Sequence, residues 1–285
     1  MTSVADWQTR RYEAHQRVTA IAEIMAFALD ESPDRALQLA REWHAISELA
    51  QRQWHSAGEL TLREALCEAE VYARPDMLRL VDFLQRNAVG VVLATIHMGD
   101  YLRALFAVLS RVPERHILIV RRRQASSLEQ EVFAKLSAQG LCVEVVRSTQ
   151  AGAALRIHRG LRRGGLVVTF YDLPYTFGPV LPLQFFRHQV YWVKGPVVAA
   201  VQARALLVPF VTYWDGQPRC DLQPTVLFGE QPTDKALQIQ RAMQQLVEIA
   251  SQYIRRAPEQ WLHWHLLPQM LENPSAGPNA QVVNE

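Results

Sequence analysis

The sequence predicts an α/β fold, with a mostly parallel central sheet flanked by helices and a helical N-terminal cap in front of it. Two observations carry that prediction. From Val89 onward, short apolar runs ("GVVLATI", "HILIV", "LCVEVV", "GLVVTF", "ALLVPFV") alternate with segments of helical length and polarity. Runs of this kind, without polar alternation, are what strands covered on both faces require. Before Val89 the texture is helical throughout, which sets residues 1–88 apart as the cap and 89–271 as the α/β core, with 272–285 as a disordered tail.

Each element has a local reason. In "HQRVTAIAEIMAFALDE", Val18, Ile21, Met25 and Ala28 recur at three- and four-residue steps and give one apolar helix face. Ser32 suits an N-cap, Pro33 the first helical position and Asp34 the positive end of the dipole. The helix they open carries Ala36, Leu37, Leu39, Ala40, Trp43, Ile46 and Leu49. Further helices start near Thr61 and Pro75. In the core, helices fit 100–111, 126–139 and 150–163, the last closed by "RRGG". The stretch "YDLPYTFGPVLPLQFFRHQVYW", with three prolines and seven aromatics, reads as an ordered loop or hairpin. "CDLQPTVLF" is an edge strand, "TDKALQIQRAMQQLVEIASQYIRR" one long helix, and "ENPSAGPNAQVVNE" the turn-rich tail.

Composition narrows the function classes. The 285 residues are 49% hydrophobic and 20% charged, enough to bury a sizeable core. A formal net charge of +2 supplies no global field for nucleic acid, so no nucleic-acid partner is expected. Cys67, Cys142 and Cys220 show no metal-ligand spacing and fit free thiols in a reducing compartment. The N-terminus has no secretory pattern and no run reaches the ~20 apolar residues of a membrane span, so the expected location is cytoplasmic, with peripheral contact at the inner face of the membrane as an option. Neither a Walker phosphate loop, a Rossmann glycine fingerprint nor a Gly-x-Ser-x-Gly elbow is present.

Ligands of open α/β sheets gather at the carboxyl ends of the strands. His97 follows "GVVLATI" at such an end, with Gly99 to let the chain turn; its bland alternative is a histidine capping a strand. The next strand ends in "IVRRRQ", where Arg121 and Arg122 either form a solvated patch or bind phosphate or carboxylate. "GLVVTF" runs on to Asp172, a helix cap or a site residue. The aromatics of 170–192 are packed core, or they line an acyl groove or lipid contact. His263 and His265 in "WLHWHLL" alternate and are a weak metal pattern.

Taken in order, these residues resemble the bacterial late lipid A acyltransferases of the lysophospholipid acyltransferase-like superfamily. The likeness rests on "VVLATIHMGDYL", "ILIVRRR", "LRRGGLVVTFYD", "LQFFR", "VKGPVVAAVQARALLVPFV" and "APEQWLHWHL", spread over about 90–265. It implies that 89–271 is an acyltransferase-like core. It also implies transfer of an acyl group from an acyl-carrier-protein or coenzyme A thioester to a hydroxyl or amine, without metal or cofactor. The acceptor is either a glycolipid or a soluble or carrier-bound natural-product intermediate. His97 is then the general base, with Asp100 as its carboxylate, and Arg121, Arg122, Asp172, Phe185, Phe186 and Arg187 are substrate-binding candidates. The family's His-x4-acid motif puts its acid at position 102, which is Leu102 here, and Phe-Phe-Gly reads Phe185-Phe186-Arg187. The competing reading is a catalytically retired member that binds lipid or acyl carrier protein.

Overall fold

The computed structural model describes residues 4–122, 127–138, 140–223 and 234–274. Helices α1 (Val4–Leu29), α2 (Pro33–Glu59), α3 (Leu62–Ala69) and α4 (Pro75–Arg86) lead the chain. Then follow β1 (Val91–Thr95), α5 (Tyr101–Leu109), β2 (His116–Arg121), α6 (Ser127–Ala138), β3 (Cys142–Arg147), α7 (Ala153–Arg162) and β4 (Leu166–Phe170). A hairpin of β5 (Val180–Phe185) and β6 (His188–Val193) leads to α8 (Gly195–Ala203), β7 (Leu206–Trp214), β8 (Pro218–Leu222), α9 (Lys235–Arg256) and α10 (Leu267–Leu271). The tail expected at 272–285 and the edge strand expected from "CDLQPTVLF" fall partly outside the described residues; the strand's described part is β8.

The six-stranded sheet runs β3-β2-β4-β1-β7-β8, parallel except for β8, which returns antiparallel to β7. The expected α/β architecture is therefore what the chain adopts. β1 lies in the middle and is buried along its whole length. Its side chains alternate between two cores: Val92 and Ala94 join one face, Val91 and Leu93 the other. Each fully buried valine or leucine side chain among them contributes ~1.5–3 kcal/mol. One core unites α1, α2, the hairpin, α8, α9 and the C-terminal turns; the other unites the end of α3, α4 and α5 with β8. The first four helices are thus shared between the two sheet faces.

The capping residues act as their sequence suggests. Ser32 accepts from Arg35 N–H, and Thr61 forms a capping box with Glu64. At the amino ends of the strands, the buried Arg115 guanidinium donates to the carbonyl oxygens of Leu84, Asn87, Val89 and Gly164, tying the end of α4 to the strand starts. The aromatic stretch is a hairpin whose turn, Phe186-Arg187, contains neither glycine nor asparagine. Phe186 takes φ 51°, a left-handed value that turn chemistry does not favour for a bulky residue. Tertiary contacts hold it there: the Arg255 guanidinium lies 5.0 Å from the Phe186 ring centre, and Arg187 pairs with Asp30 at the end of α1.

Candidate active site

Strand register builds the site. β1 and β4 are parallel neighbours, with Thr95 paired to Phe170. His97 and Asp172 each lie two residues beyond that pair, so adjacent strand ends deliver them side by side. The His97 Nδ1–H donates to Asp172 Oδ1 at 2.9 Å, and the His97 backbone N–H donates to Oδ2, also at 2.9 Å. Asp172 is fully buried, whereas the His97 side chain keeps 17% of its surface exposed.

A segment far away in sequence completes the arrangement. After α9 the chain crosses the tips of β1 and β7: Leu262 N–H donates to the His97 carbonyl (2.8 Å) and Gly99 N–H to the Gln260 carbonyl (3.2 Å). This strap carries Trp261, whose indole N–H donates to Asp172 Oδ2 at 2.8 Å. It also carries His263, whose Nδ1–H donates to the Asp172 carbonyl at 3.1 Å. The His263 ring stacks on His97 with centres 3.8 Å apart, and Phe170 stacks on His97 at 4.0 Å. Two rings that close and nearly parallel cannot share one face, so the imidazole is held between them.

Gly99 makes the turn possible. Its φ is +59°, and a Cβ there would sit 2.7 Å from the Thr212 carbonyl oxygen of β7. Thr212 Oγ1 in turn donates to the Met98 carbonyl at 2.5 Å. The backbone of 97–99 is therefore fixed by β4, β7 and the strap together.

Electrostatics follow from burial and partners. Burial alone raises the Asp172 carboxyl, but the neighbouring His97 and His263, with the His97 and Trp261 hydrogen bonds, outweigh it and leave the group below the ordinary carboxylate value. An ionised carboxylate only accepts hydrogen bonds, so His97 carries a proton on Nδ1, and in the neutral ring the lone pair is on Nε2. Burial first, and His97 second, lower His263 to about 3, so it is neutral at physiological pH.

The remaining sequence candidates distribute as follows. The carboxylate on His97 is Asp172, not Asp100, which corrects the pairing expected from sequence proximity. Asp100 caps α5 by accepting from Arg103 N–H at 3.2 Å and pairs with the Arg103 guanidinium at 2.9 Å, and Arg103 also meets Glu68. It has its own partners, one turn away. Asp172, expected among substrate-binding residues, is instead a buried anchor.

Arg121 ends β2 at the same edge of the parallel sheet, and Arg122 lies 5.6 Å from the centre of the Phe177 ring on the loop after β4. Phe185, Phe186 and Arg187 form the end of β5 and the hairpin turn. Phe185 is buried against Trp192 and Trp261, and the other two lock the hairpin to α9 and α1. Leu102 borders a shallow apolar depression with Leu60, Ala65, Phe106 and Val132, and none of His97, Asp172 and His263 lines it. His263 and His265 do not act as a pair, because His265 turns its Nδ1–H to the Leu262 carbonyl.

Sequence reasoning overlooks Trp261, and gives His263 only a weak metal role. The available signal is a concentration of indole and imidazole donors straight after a long amphipathic helix. Comparison with family models and with curated proteins gives no match. Among the described residues, no helix is long and apolar enough to cross a membrane.

Proposed function

We propose that the protein is an acyltransferase that moves an acyl group from an acyl-carrier-protein or coenzyme A thioester to a hydroxyl or amine. The observation that carries this reading is the His97–Asp172 dyad at the ends of β1 and β4, with Nδ1 engaged and Nε2 available. The His97 Nε2 takes the acceptor's proton as its oxygen or nitrogen bonds the thioester carbonyl carbon. The tetrahedral intermediate collapses, the C–S bond breaks, and the imidazolium returns the proton to the departing thiolate. Asp172 steadies the imidazolium during this cycle. Among the described residues no serine or cysteine side chain bonds His97, which favours a nucleophile supplied by the acceptor rather than a covalent enzyme intermediate. The catalytic edge supplies further support: Arg121 and Arg122 are cations suited to anionic parts of the donor. Exposed Tyr175 and Trp214, the latter 57% exposed, suit peripheral contact with a lipid surface on the cytoplasmic side. Asp172, two residues past β4, gives His97 the carboxylate partner that Leu102 cannot, and this supports the active reading over the catalytically retired one.

The test works with the acceptor still unidentified, because water can serve as a slow one. Purified protein is incubated with acyl-carrier-protein and coenzyme A thioesters, alone and with panels of hydroxyl and amine acceptors, and products are followed by mass spectrometry. The expected result is consumption of thioester above the buffer rate, abolished in a folded His97→Ala variant. Equal consumption by wild type and His97→Ala refutes the proposal.

A further inference from the structure

We propose that His97, Asp172 and His263 form a binding site for a divalent transition metal ion of the zinc class, with three protein ligands and an open coordination position. No sequence pattern announces such a site: the three residues are scattered over the chain, and the one short histidine spacing joins His263 to His265. The geometry is specific. His97 Nδ1 lies 2.9 Å from Asp172 Oδ1, His263 Nδ1 lies 3.5 Å from Asp172 Oδ2, and one ligand atom from each residue falls within 4.8 Å of the others. In a tetrahedral zinc site with bonds of ~2.0–2.1 Å, neighbouring ligand atoms stand ~3.3–3.4 Å apart. The two separations, one to each oxygen of the carboxylate, straddle that value, and coordination exchanges the present hydrogen bonds of the two Nδ1 atoms, His97 to Asp172 Oδ1 and His263 to the Asp172 carbonyl, for bonds to the ion.

Three further features favour a metal. Both imidazoles turn Nδ1 toward Asp172, His97 to the carboxylate and His263 to the backbone carbonyl, and the His263 ring tilts off its stack on His97 when both nitrogens meet one ion. The carboxylate is already oriented by Trp261 and by the His97 backbone N–H, the kind of outer-shell support that metal-binding carboxylates have. The two histidines are the partly exposed members, at 17% and 14%, so an ion has an approach while the acid stays buried. Two imidazole nitrogens and one carboxylate oxygen suit Zn²⁺, Co²⁺, Ni²⁺ or Fe²⁺ rather than Ca²⁺ or Mg²⁺, which prefer oxygen alone. Binding displaces the Nδ1 proton that fixes His97 as a base. On the acyl-transfer reading, on which this one consequence rests, the ion and the reaction exclude each other and zinc inhibits.

The experiment uses the full chain, stripped with a chelator and titrated with Zn²⁺ and Co²⁺ by calorimetry. The expected result is one equivalent bound, weakened at least ~10-fold in each of His97→Ala and His263→Ala. A second measurement needs no variant: Ni²⁺ should broaden the His97 and His263 imidazole resonances of the wild type ahead of those of the other histidines. Absence of stoichiometric binding, unchanged affinity in both variants, or broadening that spares these two rings overturns the site. Thioester consumption plays no part in that decision. A metal-binding protein without transfer activity would sink the proposed function and leave the metal site standing.

Discussion

Replacing Asp172 with asparagine probes the reasoning most directly, because the structure dictates how the amide must sit. Asp172 Oδ2 accepts from the His97 backbone N–H and the Trp261 indole N–H, at 2.9 and 2.8 Å. Neither group can become an acceptor. Turning the amide nitrogen toward them would leave buried donors unpaired at ~1–3 kcal/mol each, so the asparagine oxygen takes the Oδ2 position. The amide nitrogen then replaces Oδ1 and faces His97 Nδ1. To accept from it, His97 must move its proton to Nε2, the atom that has to be free to act as a base. Loss of the triad-type carboxylate in this manner lowers rate by ~10⁴, equivalent to ~5.5 kcal/mol of barrier. Stability changes far less. Three bonds lose their charged acceptor, at ~1 kcal/mol each, while a buried charge costing several kcal/mol disappears, so the net change stays within ~2 kcal/mol. Urea denaturation reads the second quantity, thioester consumption the first, and ¹⁵N spectra of the imidazole the tautomer. An Asp172→Asn protein that keeps Nδ1–H on His97, or consumes thioester at the wild-type rate, refutes the assignment.

Three other outcomes follow from the same geometry. Asp100→Asn keeps a competent cap on α5, so it should cost ~1 kcal/mol or less in urea denaturation and leave thioester consumption well short of the ~10²-fold loss expected of an acid–base partner. Gly99→Ala forces a methyl group against the Thr212 carbonyl at a left-handed φ, and ~2–5 kcal/mol of stability should be lost, read as a lowered denaturation midpoint. Burial pushes the Cys220 thiol up to about 12, whereas Cys67 and Cys142 are exposed. At pH 8 a chromogenic disulfide should therefore titrate the two exposed thiols quickly and Cys220 only after denaturant is added; fast reaction of all three would contradict the packing around β8.

How much of this is legible in the sequence depends on how local the cause is. The parallel strands can be read because burial on both faces leaves an uninterrupted apolar run, and α2 because Ser32, Pro33 and Asp34 act within one turn. His97 can be placed at a strand exit for the same reason. Its acid cannot. Asp100 is three residues away and Asp172 seventy-five, and only the insertion of β4 between β1 and β2 makes the distant one adjacent. Strand order is set by packing of the assembled sheet, and no periodicity records it. The turn at Phe186-Arg187 is hidden for a related reason: contacts with Arg255 and Asp30 impose a conformation that its own residues disfavour.

The strap that brings Trp261 and His263 is the element whose meaning emerges only in three dimensions. Gln260 uses both ends of its amide on the Trp214 backbone, accepting from N–H at 2.7 Å and donating to the carbonyl at 2.9 Å, so the strap is fastened to the tip of β7. From there it reaches over β1 to the carboxylate that emerges from β4. Three neighbouring strands of the sheet are thereby joined at their carboxyl ends by side chains as well as by their ladders. The imidazole inherits its position from all of them, because the groups around it are hydrogen-bonded to one another. A dyad built this way does not need substrate to set its tautomer or its plane; the cost of orienting it has been met during folding. The same rigidity explains why a fully buried acid suffices. On the proposed acyl-transfer reading Asp172 has only to hold His97, and the acid is fully buried while the His97 side chain keeps 17% of its surface exposed.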